Sequence, residues 1–415
     1  MEAQLPGPKY DITRDDLTRF AGGGPVFVAL GETMVRDTPV DMQRPEATRQ
    51  VYISLAGSEL SVAVLLARFG IPSAYVTRVP DNPYGWMLRD VARGQGVNTD
   101  YIVWAPRAEP IARYIYEAGR TPRRSTGWYQ RMYSAASRLA PGMVDWPSAL
   151  RDCKLLHTSG ITFGLAVHSG YQRNYLLETF HEALQARPSD CLVGLDFNYR
   201  STLWAEEECT RVLTPLITEH VDVLITSVED MVRHYGMQAP APPRHYPRRS
   251  RGARRSTGAR DDGGAGERSS SGGDGDGDDA LRDFLGEVIR RFSLKVVAIT
   301  RRYPDTFEYH RWESAAMDCE GNFFRSPAPR PMAVVERLGG GDAWAGGFYY
   351  GLLTEGPGAG GLAKGVLVGD AAARFKQTLM FDLPLITRAE VQALLRVEAT
   401  HGSGAQVTGS DGVDR

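Results

Sequence analysis

The stretch VVERLGGGDAWAGGFYYGLL, residues 334–353, determines how the rest of the sequence is interpreted. It opens with two strand-forming valines, continues with three consecutive glycines and Asp342, and then places small and aromatic residues at helical spacing. Because glycine has a high entropic cost in regular structure and no side chain to bury, three in succession indicate that the backbone itself has a role. We therefore predict a strand, a glycine turn and a helix that begins near Asp342.

The predicted turn has the properties of an anion site. Because they lack side chains, Gly339, Gly340 and Gly341 allow their N–H groups to point into one concavity. The N-terminus of the helix behind them carries about half an elementary positive charge, and this combination suits phosphate. Asp342 is then either an N-cap or a general base that removes the proton of a hydroxyl as it attacks a phosphoryl group. The pattern by itself leaves both roles open.

The better-known phosphate-binding motifs are absent from the sequence. It has no GxxxxGK[ST] P-loop, no HRD or DFG set of a protein kinase, and no GxGxxG after its first predicted strand. The glycine turn therefore represents a different kind of phosphate site.

Length and charge narrow the class of protein. The chain has 415 residues and an apolar fraction of 42%, which is sufficient for a sizeable core. At roughly 100–200 residues per domain, this length allows two or three domains. The 48 basic residues nearly balance 50 acidic ones, which argues against a nucleic-acid partner because dedicated nucleic-acid binders carry a strong basic excess.

Cysteine usage and the N-terminus indicate a cytoplasmic location. The four cysteines form no CxxC pair, so we expect reduced thiols rather than a zinc site or a disulfide framework. The first residues, MEAQLPGPKYDITRDD, lack the apolar segment of a signal peptide. No run of about 18 apolar residues occurs, so no membrane partner is expected.

Strand-like and helix-like segments alternate along most of the chain. The predicted strands are 26–30, 71–79, 153–160, 191–197, 221–227 and 295–301, and the predicted helices are 59–70, 84–96 and 169–186. Such alternation is typical of parallel βαβ units. We therefore predict an α/β fold with a central, mostly parallel sheet flanked by helices.

Residues 33–55 and 109–133 interrupt this alternation with strand-like segments such as PIARYIYEA and RSTGWYQRMY. We predict that they form a small antiparallel β-sheet that stands off the main sheet and acts as a lid over a site. The exposed edges of such a sheet are often covered by a partner, which favours a homo-oligomer assembled through the lid.

Three segments are predicted to be disordered: residues 1–24, 238–281 and 396–415. The second is rich in Pro, then in Arg, then in Gly, Ser and Asp, and it is nearly free of aliphatic residues. Such a segment buries too little apolar surface to offset the entropy lost on ordering. Its arginines belong either to a solvated loop of mixed charge or to a transient site for an anion or a nucleic acid.

The motif GGGDAWAGGF (339–348) resembles the C-terminal signature of the PfkB, or ribokinase-like, sugar kinases, in which G-A/G-G-D precedes a small-residue helix. The segment from 56 to 102, which begins AGSELSVAVLLARFG, is similar to the N-terminal signature of the same family. This resemblance implies a ribokinase-like kinase domain over 25–237 and 282–395, with ATP and Mg²⁺ as its requirements.

Within this family the sequence is most similar to the 2-keto-3-deoxygluconate kinases. Three stretches carry the likeness: GETMVRDTP (31–39), a lid segment that ends in YQRMYSAASRL (129–139), and LDFNYRSTLW (195–204). The physical logic agrees, because a keto-deoxy sugar acid carries a carboxylate and its site needs cations and hydroxyl donors. The implied reaction is ATP-dependent phosphorylation of the primary hydroxyl of a sugar acid.

The resemblance also implies roles for individual residues. Asp342 would be the catalytic base, and Gly339, Gly340 and Gly341 would form the anion hole. The substrate-binding residues would be Gly57, Tyr114, Tyr129, Arg131 and Arg200, and the nucleotide-binding residues would be Asn198, Thr226, Thr300 and Gly341. Glu229, in a TSVE motif where the family has NxxE, would approach Mg²⁺ through water.

Three functions stay open at this stage. The first is a 2-keto-3-deoxygluconate kinase. The second is another kinase of the same fold, acting on a neutral sugar, a nucleoside or a different sugar acid. The third is a non-catalytic PfkB-fold protein that binds a ligand or a partner.

Overall fold

The computed structural model describes residues 10–120, 122–240, 275–304, 309–327 and 332–401. The strands of this part of the chain are β1 (Phe27–Leu30), β2 (Met34–Pro39), β3 (Val51–Ala56), β4 (Ser73–Pro80), β5 (Val97–Asn98), β6 (Ile102–Ala105), β7 (Ala112–Glu117), β8 (Thr126–Gln130), β9 (Leu155–Ser159), β10 (Leu192–Asp196), β11 (Val223–Thr226), β12 (Val296–Pro304), β13 (Tyr309–Asp318), β14 (Phe323–Arg325) and β15 (Met332–Ala333). The helices are α1 (Ser58–Arg68), α2 (Pro83–Gly94), α3 (Trp146–Leu150), α4 (Gly160–His168), α5 (Tyr175–Ala186), α6 (Glu206–His220), α7 (Val228–Tyr235), α8 (Gly275–Phe292), α9 (Gly340–Glu355), α10 (Ala359–Gln377) and α11 (Arg388–His401).

The larger of two sheets has the order β14-β13-β12-β11-β10-β9-β1-β4-β5, with β6 pairing further along β4 and β15 pairing β13. The pairings from β12 through β5 and β6 are parallel, whereas β13 is antiparallel to β12, β14 and β15. This arrangement confirms the predicted α/β fold. Strand β1 lies between β4 and β9, so the chain continues to one side of β1 with β4 and to the other side with β9. At such a reversal of strand order, the carboxyl ends of the strands form a crevice that commonly binds ligands.

Strand β1 shows how the sequence builds the layers. Successive side chains of a strand point to opposite faces of the sheet. Phe27 and Ala29 belong to one hydrophobic cluster with residues of α1, α9 and α10, whereas Val28 and Leu30 belong to a second cluster with residues of α4 and α6. Because both faces of β1 are covered, its sequence is a continuous apolar run rather than an alternating one.

The small sheet has the order β3-β2-β7-β8. Residues 33–55 supply β2 and β3, and residues 109–133 supply β7 and β8. The outer pairings are antiparallel, but β2 and β7 pair in parallel, so the prediction of a wholly antiparallel sheet is wrong. The reason is that β2 and β7 belong to different parts of the chain and meet only through the tertiary fold.

The disorder predicted for residues 1–24 is wrong over residues 10–24, which pack against the C-terminal helices. Ile12 is fully buried, and its N–H donates to Oε1 of Gln392 on α11 at 2.8 Å. Asp15 forms an ion pair with Lys364 of α10 at 2.8 Å. These partners lie 380 and 349 residues further along the chain, so the local composition of the segment does not reveal them.

Other boundaries also differ from the predictions. Helix α8 begins at Gly275, inside the predicted insertion, and α11 continues to His401, inside the predicted tail. Residues 241–274 and 402–415 lie outside the described residues. Of the predicted helix 169–186 only α5 forms, because Asn174 caps its N-terminus by accepting a hydrogen bond from the N–H of Leu177. Among the described residues, no helix combines the length and apolar character needed to cross a membrane.

Candidate active site

The carboxyl ends of β10, β11 and β12 face the start of α9 across a cavity of about 380 Å³. Its position agrees with the usual ligand crevice of an open α/β sheet. It is lined by Asp196, Asn198, Arg200, Ile225, Thr226, Ser227, Asp230, Thr300, Arg302, Trp312, Arg337, Leu338, Gly339, Gly341 and Asp342. Seven residues singled out from the sequence therefore meet in one place: Asn198, Arg200, Thr226, Thr300, Gly339, Gly341 and Asp342.

The glycine turn leads directly into α9. Gly339 is the N-cap and has a φ of 78°, a left-handed conformation that glycine adopts without strain. A Cβ at this position would collide with the carbonyl oxygen of Asp382, so a side chain is excluded on two grounds. Gly340 is buried against Gln377 and does not line the cavity, whereas Gly341 is exposed and has open space where a Cβ would be. The first N–H groups of a helix have no partner within it, so this turn suits an anion.

Asp342 lies in the first turn of α9, one residue beyond the glycines. It is not the N-cap, because Gly339 occupies that position and no side chain caps the helix. Its Oδ1 instead accepts a hydrogen bond from the Ser58 hydroxyl at 2.6 Å. Ser58 is the first residue of α1, and it also accepts a hydrogen bond from the Asn198 amide at 3.4 Å. Asp342 is therefore held from the direction of α1, with its carboxylate in the cavity.

Burial dominates the electrostatics of the three carboxylates in this cavity. It raises the pKa of Asp342 above its ordinary value, although the Ser58 hydrogen bond and the positive charges of Arg200 and Lys376 oppose the shift. Burial raises the pKa of Asp196 to about 8, and the nearby charge of Asp342 adds to that effect. The pKa of Asp230 is raised as well, again mainly by burial. Three acidic groups that resist ionisation in one cavity favour a bound cation or a proton-accepting role.

Cationic groups share the cavity with these acids. Three arginines line it. Arg200 lies in the loop after β10, Arg302 lies on β12, and Arg337 lies two residues before Gly339. The Arg200 side chain is anchored through Nη1, which donates to the Tyr199 carbonyl at 2.9 Å. Guanidinium groups bind phosphate and carboxylate oxygens in pairs, so this cavity suits a polyanionic ligand.

Gly57 and Asn198 shape the border between the cavity and α1. Gly57 precedes Ser58, and a Cβ on it would lie 2.9 Å from the Glu32 carbonyl oxygen, so the close approach of two backbones requires glycine here. Asn198 has a φ of 40°, which is unusual for a residue with a side chain. Strained backbone of this kind is concentrated at functional sites.

Of the residues that the resemblance assigns to the substrate, only Arg200 lines the cavity; Gly57 lies at its border, and Tyr114, Tyr129 and Arg131 lie further away. The Tyr114 hydroxyl is buried and donates to the Asp382 carboxylate, with distances of 3.1 and 3.0 Å to its two oxygens. Arg131 is buried and donates to Oε2 of Glu32 from Nε at 2.9 Å and from Nη2 at 2.6 Å. Tyr129 is exposed and stacks on Tyr114 with a centroid distance of 5.0 Å. Tyr129 and Arg131 line a second cavity of about 740 Å³ beside the small sheet.

Glu32 physically links two of the motifs that carry the family resemblance. It follows β1 in the GE motif, and it accepts hydrogen bonds from Arg131 and from Ser134, both in the YQRMYSAAS segment. The small sheet is thereby tied to the end of the central strand.

Glu229 does not line the cavity and is exposed on α7, whereas its neighbour Asp230 does line it. The Ser227 hydroxyl caps α7 by accepting from the Asp230 N–H at 3.0 Å, and it donates to Oδ2 of the Asp230 carboxylate at 2.8 Å. Within the described ranges, no group of three His, Cys, Asp or Glu residues is arranged to hold a metal ion directly. A magnesium ion would thus fit here only with water completing its coordination, which is the common mode for Mg²⁺.

Sequence reasoning missed five residues of this site: Ser58, Asp196, Asp230, Arg302 and Arg337. Ser58 and Asp196 could have been predicted, because Ser58 follows Gly57 at a helix start and Asp196 lies near the carboxyl end of the predicted strand 191–197. Thr226, which the resemblance assigns to the nucleotide, has a buried hydroxyl oxygen without a hydrogen-bond partner among the described residues. Such a group is expected to gain a partner when a ligand binds.

Comparison with known proteins gives a consistent family assignment. A family model described as pfkB family carbohydrate kinase matches residues 27–242. A 2-dehydro-3-deoxygalactonokinase of Haloferax volcanii is 28% identical over 371 residues, which cover 89% of this chain and 96% of that protein.

Solved structures agree with this fold. The crystal structure of a 2-dehydro-3-deoxygluconokinase from Thermotoga maritima has a TM-score of 0.72 and 28% identity, covering 89% of this chain and 98% of that one. A candidate ribokinase II of E. coli in complex with ATP and Mg²⁺ has a TM-score of 0.63, covering 89% of this chain and 98% of that one. Its identity is 14%, so this second likeness concerns the fold alone.

Proposed function

The chain belongs to the pfkB family of carbohydrate kinases, and from this premise we propose that it transfers the γ-phosphoryl group of ATP to the primary hydroxyl of a keto-deoxy sugar acid. The substrate proposed is 2-keto-3-deoxygluconate (2-dehydro-3-deoxygluconate) or its galacto epimer, and the product is the 6-phosphate. The observation that carries the proposal is the position of Asp342, which lies beside the glycine turn in a cavity that also contains Arg200. The names of the two relatives at 28% identity point to the same substrate class.

Asp342 acts as the general base in this proposal. Its carboxylate accepts the proton of the sugar hydroxyl while the hydroxyl oxygen forms a bond to the γ-phosphorus and the bond to the leaving ADP breaks. The N–H groups of Gly339 and Gly341, the two glycines that line the cavity, donate hydrogen bonds to the non-bridging oxygens of the transferring group. Donors that are already oriented toward developing charge are worth several kcal/mol in comparable sites, about 3–4 for one donor.

The cavity residues fit ATP and magnesium by their chemistry. The glycine turn, Arg302 and Arg337 offer donors for phosphate oxygens, while Asp196 and Asp230 would hold Mg²⁺ through its water ligands. The ion supplies charge neutralisation on the phosphates. The carboxylate of Asp196, whose pKa burial raises to about 8, would be favoured in its ionised form beside a bound dication.

Arg200 is the proposed contact for the substrate carboxylate. It lines the same cavity as Asp342, whereas Arg131 already donates two hydrogen bonds to Glu32. The small sheet closes over the sugar as a lid and excludes water, which limits futile hydrolysis of ATP. Free thiols at all four cysteines are compatible with a cytoplasmic enzyme.

A substrate panel tests the proposal, with ADP formation measured in a coupled assay. The acids are 2-keto-3-deoxygluconate and its galacto epimer, and the neutral compounds are ribose, fructose and adenosine. We expect kcat/KM to be about 10- to 100-fold higher for at least one acid, the range that one charge-assisted hydrogen bond provides. A preference for a neutral compound would contradict the sugar-acid assignment. Binding of the acid without any ATP turnover would indicate a non-catalytic protein.

The substitution Arg200→Met tests carboxylate recognition separately. We expect the KM for the sugar acid to rise about 10- to 100-fold, because one charged hydrogen-bonding partner is lost. The KM for ATP should change little. The control is Arg211→Met, which removes an exposed arginine of α6 that pairs with Glu208 and is expected to behave as wild type. A rise in the KM for ATP alone would place Arg200 at the nucleotide instead.

We further propose that two copies associate through the small sheet. On its outer face, Ile53, Ile115 and Trp128 are 51%, 38% and 49% exposed. Strand register places them in one row, with Ile53 and Ile115 flanking Asp37 and Trp128 next to Ile115. Strands β3 and β8 are the edges of this sheet. An exposed apolar row between two edge strands is a natural surface for self-association.

A further inference from the structure

Arg36, on strand β2 of the small sheet, is a buried cation with 1% exposure. Its Nη1 donates to Oδ1 of Asp382 at 2.7 Å, and its Nη2 donates to Oε2 of Glu336 at 2.6 Å. The ring of Tyr116 lies over its guanidinium group, 4.2 Å from the central carbon. A guanidinium that has lost its hydration and gained two carboxylate partners is fixed in position, because any movement would leave buried charges unpaired.

Glu336 connects Arg36 to the chain that enters the glycine turn. While its Oε2 accepts from Arg36, its Oε1 accepts from the N–H groups of Arg337 at 2.9 Å and Leu338 at 3.3 Å. Arg337 and Leu338 directly precede Gly339 and line the cavity. Arg36 therefore fixes the backbone on the near side of the anion hole through one intermediate carboxylate.

Asp382 connects Arg36 to the other side of the same turn. Its carbonyl oxygen occupies the space that a Cβ on Gly339 would need, so the turn rests directly on this residue. Its carboxylate accepts hydrogen bonds from Arg36 and from the Tyr114 hydroxyl of β7. The preceding residue, Phe381, has a φ of 66°, a conformation that an aromatic residue keeps only when its surroundings enforce it.

We propose that Arg36 and Tyr114 are positioning residues for the anion hole, so that the root of the small sheet and the glycine turn are held as one unit. The inference rests on the proposed function, since it takes the glycine turn as the site of phosphate. It also gives the lid a second task, because a lid strand that carries Arg36 sets the geometry of the phosphate donors as well as covering the substrate.

Two variants test this inference, Tyr114→Phe and Arg36→Lys. The control is Arg113→Lys, which alters a lid arginine that pairs with Asp37 inside the same sheet. Binding of a non-hydrolysable ATP analogue with Mg²⁺ is measured by titration calorimetry, and kcat and the KM for the sugar acid are measured beside it. We expect the two variants to weaken analogue binding and to lower kcat, each by about 10-fold and at most 100-fold, the cost of a small misplacement of reacting groups. The KM for the sugar acid and all values for the control should stay within about twofold of wild type.

The opposite pattern would overturn the inference. If Tyr114→Phe raises the KM for the sugar acid while analogue binding is unchanged, Tyr114 contacts the sugar rather than the anion hole. Tyr114→Phe removes one hydroxyl and no charge, so it decides the matter alone if circular dichroism shows that Arg36→Lys does not fold. The titration needs no turnover. A wild type that binds the analogue but phosphorylates no sugar would therefore contradict the proposed function and still allow this inference to be measured.

Discussion

At the scale of single residues, the chemistry of this site depends on how Asp342 is surrounded. Burial favours its protonated form, whereas the Ser58 hydroxyl at 2.6 Å favours the carboxylate. A general base must be ionised to accept a proton, so Ser58 keeps Asp342 functional at lower pH than burial alone would allow. Ser58 therefore acts through Asp342.

The substitution Ser58→Ala should move the acidic limb of the kcat profile to higher pH. Removing the donor destabilises the carboxylate, so the pKa of Asp342 rises and less of it is ionised at a given acidic pH. At alkaline pH, where Asp342 is ionised in both proteins, the rates should converge. The measurement is kcat from pH 5 to 9 at saturating ATP and sugar acid.

Ser61→Ala is the matched control for this experiment. Ser61 lies on the same helix, and its buried hydroxyl has no hydrogen-bond partner in the described part of the chain. Its substitution should leave the profile in place. An acidic limb that does not move in Ser58→Ala would mean that Asp342 is not the group whose ionisation limits the rate.

At the scale of elements, the conformation of the glycine turn and the start of α9 are determined by residues within one short stretch of sequence. Gly339 is constrained by its φ of 78° and by the carbonyl of Asp382, while Gly341 has open space around its Cα. The two positions therefore differ in why they hold glycine. At Gly339 the backbone conformation requires it, whereas at Gly341 the absence of a side chain leaves space in the cavity.

Gly339→Ala should destabilise the protein, whereas Gly341→Ala should not. A left-handed conformation costs an alanine about 1–2 kcal/mol, and the collision with Asp382 adds to this, so we expect a loss of at least 2 kcal/mol in the free energy of unfolding. Gly341 lies in the first turn of a helix, where alanine costs nothing or stabilises by a few tenths up to about 1 kcal/mol. Urea denaturation of both variants measures this difference. Equal losses would show that the turn does not have the conformation described.

Helices and strands that have a clear local sequence pattern could be predicted from the sequence, whereas contacts between segments far apart in the chain could not. The strands near residues 26–30 and 221–227, and the helix after Gly341, follow from periodicity and glycine placement alone. Ser58 and Asp342 are 284 residues apart, and Arg36 and Asp382 are 346 apart, so no window of sequence contains either pair. The resemblance predicts a functional role for Tyr114, but Asp382, which accepts its hydrogen bond, lies 268 residues further along the chain.

At the scale of the whole molecule, the kinase domain joins a rigid sheet to a smaller sheet with one exposed apolar face. Helices cover both faces of the central sheet, whereas one face of the small sheet carries exposed apolar side chains. Its row of Ile53, Ile115 and Trp128 would be covered in a dimer. Such a dimer would also restrict how far the lid can open.

Trp128→Glu should convert the protein to monomers, because a charge placed at an apolar contact of the interface has to be desolvated. Sedimentation velocity at micromolar concentration measures the change in mass. Trp104→Glu serves as the control, since Trp104 is also exposed but lies on β6 of the large sheet. A wild type that is already monomeric, or an equal effect of both substitutions, would rule out association through the small sheet.

The most direct test of the central claim is the rate of ADP formation by Asp342→Asn with saturating ATP and sugar acid. Asparagine keeps the size of the side chain and cannot accept the proton, so kcat should fall by at least about 10²- to 10⁴-fold while both KM values change little. Retained binding of an ATP analogue would show that the variant is folded. Turnover at the wild-type rate would contradict the role of Asp342 as the base that deprotonates the sugar hydroxyl.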